Sequence, residues 1–254
     1  MPTSAPMTPY TLPRHLPLVQ RWTGKAGPHP LRERRLRSHK PVPPTLRWTD
    51  GRRYAYFGYC EHGLPLAPFD FSHHMGDLCG DIARHCDTLR HINTRHMLFT
   101  VTQARKARRH GLQARITPLR FRQGALTETR HGRTFQVQRY FVGDTEILYL
   151  ITFCMPRFLN QSFEQKLITI FHELYHVSPA FDGDLRRHEG RYCIHTCSKK
   201  GYDRHMGDLV GDYLKKTTAP EKYAFLQLPF EQLQVRHGAV TGIVVPVPKL
   251  VPVV

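Results

Sequence analysis

The chain has 254 residues, 40% of them hydrophobic, and a formal net charge of +17. That apolar share is enough to bury one core, or one core plus appendages, and no apolar run approaches the roughly 18 residues that a membrane helix requires. Such a cationic excess attracts polyanions, of which nucleic acid is the obvious soluble one.

The first 44 residues hold ten of the twenty prolines and show no sustained periodicity, so residues 1–45 are expected to form a flexible or extended arm. Residues 1–53 carry eleven Lys and Arg against only Glu33 and Asp50. Within them "LRERRLRSHK" reads as a phosphate-contacting arm or as a basic linker. The start lacks a continuous apolar stretch of signal-peptide length, so the six cysteines (Cys60, Cys79, Cys86, Cys154, Cys193 and Cys197) are expected as reduced thiols of a cytoplasmic protein.

A domain is expected over residues 46–216. It opens with "LRWTDGRRYAYFGY", which has the pattern of a hairpin turning at Asp50-Gly51. A helix follows at about 72–91, where Met75, Leu78, Cys79, Ile82, Cys86 and Leu89 recur on one face. Its histidines, His73, His74, His85 and His91, lack ligand spacing beside a carboxylate and are expected as surface or hydrogen-bonded polar groups. From 96 to 154 the period changes, and "MLFTVTQA", "LQARITPLRF", "RTFQVQRYFV" and "EILYLITFCM" predict a small, mainly antiparallel sheet of three or four strands.

Next, Ser162 and Gln165 have the spacing of a capping box, and Phe163, Leu167, Ile170, Phe171 and Leu174 supply a helical apolar stripe that should end near Pro179. Residues 203–216 predict another helix, with Met206, Leu209, Val210 and Tyr213 inward. Its H-M-G-D-L-V-G-D repeats seven of the eight positions at 74–81, which reads as a coincidence of helix packing. Residues 217–254 are expected as an extension, its Val- and Pro-rich end extended or an edge strand. The order helix, sheet, helix fits an α+β layer arrangement in which an edge strand lines a cleft and can take up an extended peptide by strand addition.

The chemistry concentrates in F-H-E-L-Y-H, 171–176. On a helix, His172 and His176 at i and i+4 share a face, which suits two nitrogen ligands on one zinc, with Glu173 as general base for a water activated by the metal. A catalytic zinc needs a third protein ligand and an open position. The downstream candidates are His188, Glu189, His195 and His205. Metzincin spacing is excluded, because Asp182 stands where that family's third histidine would be and Pro179 where its glycine would be. Asp182 and Asp184, flanking Gly183, either orient a ligand imidazole or simply build a turn. Tyr192 and Tyr202 are candidates to donate to an oxyanion, or are ordinary packing residues. Cys193 and Cys197 flank His195, but no second C-x-x-C pair completes a four-ligand site, so they are expected as free thiols.

The run from His172 to Pro179, the segment 181–187, Gly190-Arg191-Tyr192 and His195 resemble the phage metallopeptidase family, which is itself distantly similar to SprT-like (Spartan-type) zinc proteases. The resemblance spans Phe69 to Leu214 and includes "MPRF" at 155–158 and "YDRHM" at 202–206. It implies a zincin-like minimal metalloprotease fold, a phage or prophage setting and one zinc. An aromatic residue often stands in the family at the place of His188, and a histidine at that of His195. The resemblance therefore implies His172, His176 and His195 as ligands, with His188 as runner-up and Glu189 behind it. By analogy with SprT-like enzymes, the substrates would be proteins on or near nucleic acid. Two rivals stand beside a peptidase: a basic nucleic-acid-associated binding protein with a structural or degenerate metal site, and metal-dependent hydrolysis of a non-peptide bond.

Overall fold

The computed structural model describes residues 17–21, 28–30, 32–36, 68–104, 111–187 and 199–253. In chain order they form β1 (Pro17–Arg21), β2 (Pro28–Pro30), β3 (Arg32–Arg35), β4 (Phe69–Asp70), α1 (Phe71–His85), β5 (Met97–Gln103), β6 (Ala114–Pro118), β7 (Thr127–Arg130), β8 (Arg133–Val137), β9 (Arg139–Val142), β10 (Thr145–Ile147), β11 (Tyr149–Met155), α2 (Phe163–Tyr175), α3 (Lys199–Lys216), α4 (Phe230–His237), β12 (Val240–Val244) and β13 (Leu250–Pro252). The class is α+β. No helix among the described residues is long and apolar enough to cross a membrane.

Local chemistry starts α1 and α2 where the pattern placed them. Asp70 caps α1 by accepting from the His73 amide at 3.1 Å. Met75, Leu78, Cys79 and Ile82 then turn fully into the core. The helix stops at His85 rather than near 91, because Cys86 takes an extended backbone; a 3-10 turn, Asp87–Leu89, then buries Leu89. Cys86, Asp87 and Thr88 are weak helix formers, which favours this exit. At α2 the capping box is complete: the Gln165 amide donates to Ser162 Oγ at 3.2 Å, and the Ser162 amide to Gln165 Oε1 at 3.4 Å.

The central sheet has the order β5-β11-β6. Its β6–β11 pair is antiparallel as expected, but β5 and β11 run parallel, because the chain makes a long excursion before β11 returns beside β5. Met97–Val101 of β5 and every residue of β11 but Thr152 are buried, which explains why "MLFTV" and "YLITFCM" read as continuous apolar runs instead of alternating. On one face Phe99, Val101, Ile151 and Phe153 join the main core with α1 and α2. On the other, Leu98 and Leu150 pack with Leu119, Tyr140, Val142 and Ile147.

Three further small sheets take strands from distant parts of the chain: β10-β9-β1-β2, β3-β12-β4 and β13-β8-β7. All three take strands from outside residues 46–216, the expected domain limits. In the segment expected as an arm, β1 pairs with β9 and β3 with β12. In the expected extension, β12 is the middle strand between β3 and β4 and is buried against β5 and α1. Gly242 permits this, since a Cβ there would lie 2.7 Å from Val101 Cγ1. The helix α4, with Phe230 and Leu233 in the core, was not legible as a helix. The hairpin expected at 46–57 lies outside the described residues.

Helix α3 is tied to α1 through Asp81, which is 2% exposed and accepts from Tyr213 Oη and Thr217 Oγ1, each at 2.9 Å. Its counterpart in the repeated octapeptide, Asp212, lies exposed on α3. At this position the two copies have different surroundings, whereas Met75 and its counterpart Met206 are both fully buried.

Candidate metal centre

Leu167, Ile170, Phe171 and Leu174 bury one side of α2 and set its last turns against the sheet. His172 and His176 emerge together there: their Nε2 atoms lie 3.0 Å apart and their rings, 4.6 Å between centroids, stand nearly perpendicular at 82°. Two tetrahedral zinc ligands at 2.0–2.1 Å would have nitrogens about 3.3 Å apart. The donor pair present thus fits a zinc ion. Without metal, the same distance lets one ring N–H donate to the bare nitrogen of the other.

Glu173 is 7% exposed and faces β6, an edge strand of the central sheet. Its Oε2 accepts from the Ile116 amide at 2.7 Å. Burial pushes the carboxyl up to about 7, against the pull of that amide and of the nearby Arg115 charge.

The chain leaving α2 is clamped. The Arg186 amide donates to the His176 carbonyl at 2.7 Å, Arg186 Nε donates to the Tyr175 carbonyl at 2.8 Å, and the guanidinium lies 4.3 Å over the Tyr175 ring. Carbonyls that a helix end leaves unpaired are thereby satisfied. Val177 bridges Leu185 antiparallel, Tyr149 Oη donates to the Asp184 carbonyl at 2.8 Å, and the Gly183 amide donates to Tyr149 Oη at 2.9 Å.

Asp182 and Asp184 act within this turn. Asp182 Oδ1 accepts from the Asp184 amide, and the Asp184 carboxylate accepts from the Gln123 and Leu185 amides and from Arg187. Burial pushes the Asp184 carboxyl up, but Arg187 and the two amides outweigh it and hold it below the usual range. Phe181 adopts a positive φ of 51° here, uncommon for a bulky side chain, with its ring against Tyr149.

The expected third ligand, His195, and its rivals His188 and Glu189 lie outside the described residues, as do Tyr192, Cys193 and Cys197. Tyr202 falls in α3, where its side chain lies outside the description. His205 is exposed and meets the edge of the Tyr175 ring at 5.4 Å between centroids. Among the described residues no third His, Cys, Asp or Glu completes a metal cluster with His172 and His176.

Three of the four α1-region histidines are hydrogen-bonded or paired as expected. His73 faces Asp77 at 3.3 Å, and the Nδ1 atoms of His74 and His85 meet the carbonyls of Asp70 and Asp81. His91 is satisfied in part: its ring hydrogen-bonds backbone at Val177 and Thr88, while its Nε2 is buried without a partner among the described residues.

Ile116, Tyr149 and Arg186 shape the site and were not foreseen. All three meet the motif only through the fold. No family model, curated protein or solved structure matches this chain.

Proposed function

We propose that the chain is a zincin-like, zinc-dependent peptidase in which His172 and His176 hold the metal and His195 supplies the third ligand, with His188 and then Glu189 as alternatives. The observation that carries this is the pair of Nε2 atoms 3.0 Å apart beside a buried Glu173 set against an edge strand. Zinc, when bound, supplies Lewis acidity: it polarises a carbonyl oxygen and makes water nucleophilic at neutral pH. Glu173 takes the proton from the attacking water and passes it to the leaving amine, with the Ile116 amide holding its carboxylate in place. As an edge strand, β6 offers backbone groups to an extended peptide. Resemblance to the phage metallopeptidase and SprT-like proteins supports proteins on or near nucleic acid as substrates.

The test is zinc content by elemental analysis, together with hydrolysis of an unfolded protein such as casein. Wild type should hold one equivalent of zinc. His176→Ala and His195→Ala should lose it, and His188→Ala should keep it. Glu173→Gln should keep zinc while hydrolysis drops roughly 10²–10⁴-fold. No zinc in wild type after supplementation sinks the proposal and leaves the basic nucleic-acid-binding protein as the better account.

A further inference from the structure

At the outer end of the β7–β8 hairpin, the strand register sets Arg130 directly opposite Arg133. The turn between them is His131-Gly132 alone, with positive φ at both (50° and 72°), the backbone of a tight primed hairpin turn. Directly paired residues project from the same face of a ribbon, so two like charges placed this way repel and weaken the hairpin. One carboxylate offsets part of this. Arg130 donates through Nε and Nη2 to Glu128 Oε2 at 2.9 and 2.5 Å, while its guanidinium lies 5.5 Å over the Phe121 ring. Arg133 stands exposed at the tip, and Arg122, next to Phe121, is exposed as well. Every residue from 127 to 137 is exposed or half-buried, so among the described residues no second layer covers the ribbon here.

We propose that this hairpin tip is a fork for the phosphodiester backbone of nucleic acid. Neighbouring strands are about 4.8 Å apart, so the two guanidiniums can both donate to the non-bridging oxygens of a single phosphate. An anion between them converts the cross-strand repulsion into attraction. The net charge of +17 selects a polyanion over an isolated phosphate, because each further phosphate neutralised releases counterions. Contacts of this kind go to the backbone, so binding is independent of base sequence. The fork is separate from His172 and His176 and does not rest on the peptidase proposal.

The experiment is fluorescence anisotropy of the full chain with a labelled, mixed-sequence DNA duplex of roughly 20 base pairs, between about 50 and 200 mM salt. Arg130→Gln/Arg133→Gln should weaken binding about tenfold or more at the low-salt end and flatten the slope of log K against log salt by about 2. It should keep the wild-type circular dichroism spectrum, since both side chains are exposed and no core residue changes. Arg130→Lys/Arg133→Lys should keep the slope. An unchanged slope and affinity in the glutamine variant would overturn the proposal. So would an equal loss from Arg204→Gln/Lys215→Gln on α3, which would mean that net charge alone drives binding, or a wild type that does not bind the duplex at the lowest salt.

Discussion

Lys166 lies inside α2, 1% exposed, with its Nζ donating to the carbonyls of Leu226 at 2.7 Å and Leu228 at 2.9 Å. Burial pushes the ammonium down to about 8. The unfolded chain, with an ordinary lysine near 10.4, then binds more protons than the folded one from about pH 8 to 10.4, and this residue's contribution to stability rises with pH across that window and is flat below it. Urea titrations of wild type and Lys166→Met at about pH 7.5 and about pH 10 should show the gap in favour of wild type widening by on the order of 2 kcal/mol. A constant gap would mean that the amine titrates normally. The tyrosines that also titrate at high pH are common to both proteins and cancel. At this scale His172, Glu173 and His176 were legible because i, i+4 geometry is local, whereas Lys166 looked like any polar helix residue. Its two carbonyl partners lie about 60 positions away and leave no mark on the residues around it.

Helices and strands respond to substitution according to what surrounds them. On α3, a Cβ at Gly207 or Gly211 would meet nothing within 4 Å. Gly207→Ala and Gly211→Ala should therefore each raise stability by about 0.5–1 kcal/mol by reducing the backbone entropy lost on folding. On β12, the Cβ of Gly242→Ala would lie 2.7 and 2.8 Å from the two methyls of Val101. That substitution should lower stability by about 1–3 kcal/mol through overpacking. Thermal melts of the three variants test the contrast, and a stabilising Gly242→Ala would mean that β12 does not press on β5. The apolar stripes of α1 and α2 and the Ser162 capping box were readable because they repeat within a few residues. The glycines were not, since the same residue is a free helix position in α3 and a close approach in β12.

The whole molecule depends on its ends. Residues 217–253 contribute Leu226, Phe230, Leu233 and Val240 to the main core, and β12 joins β3 near the start of the chain to β4 at the head of α1. A chain truncated to 46–216, the limits that composition indicates, should therefore lack a cooperative unfolding transition by circular dichroism. A sharp transition in that fragment would show that both ends are dispensable. Proline and charge made the ends look like appendages because a strand of three to five residues carries too little periodicity to register, and its partner is far away in sequence. By itself, the sequence determined the α1 stripe, the α2 cap and the two imidazoles and carboxylate on one helix, because each rests on contacts within about one or two helical turns. Only the tertiary structure decided the parallel return of β11 beside β5, the Ile116 amide on Glu173 and the strand of one terminus lying against the other. Those pairings join residues tens to hundreds of positions apart, and loop-closure entropy rises so slowly with length that no local pattern fixes which partners meet.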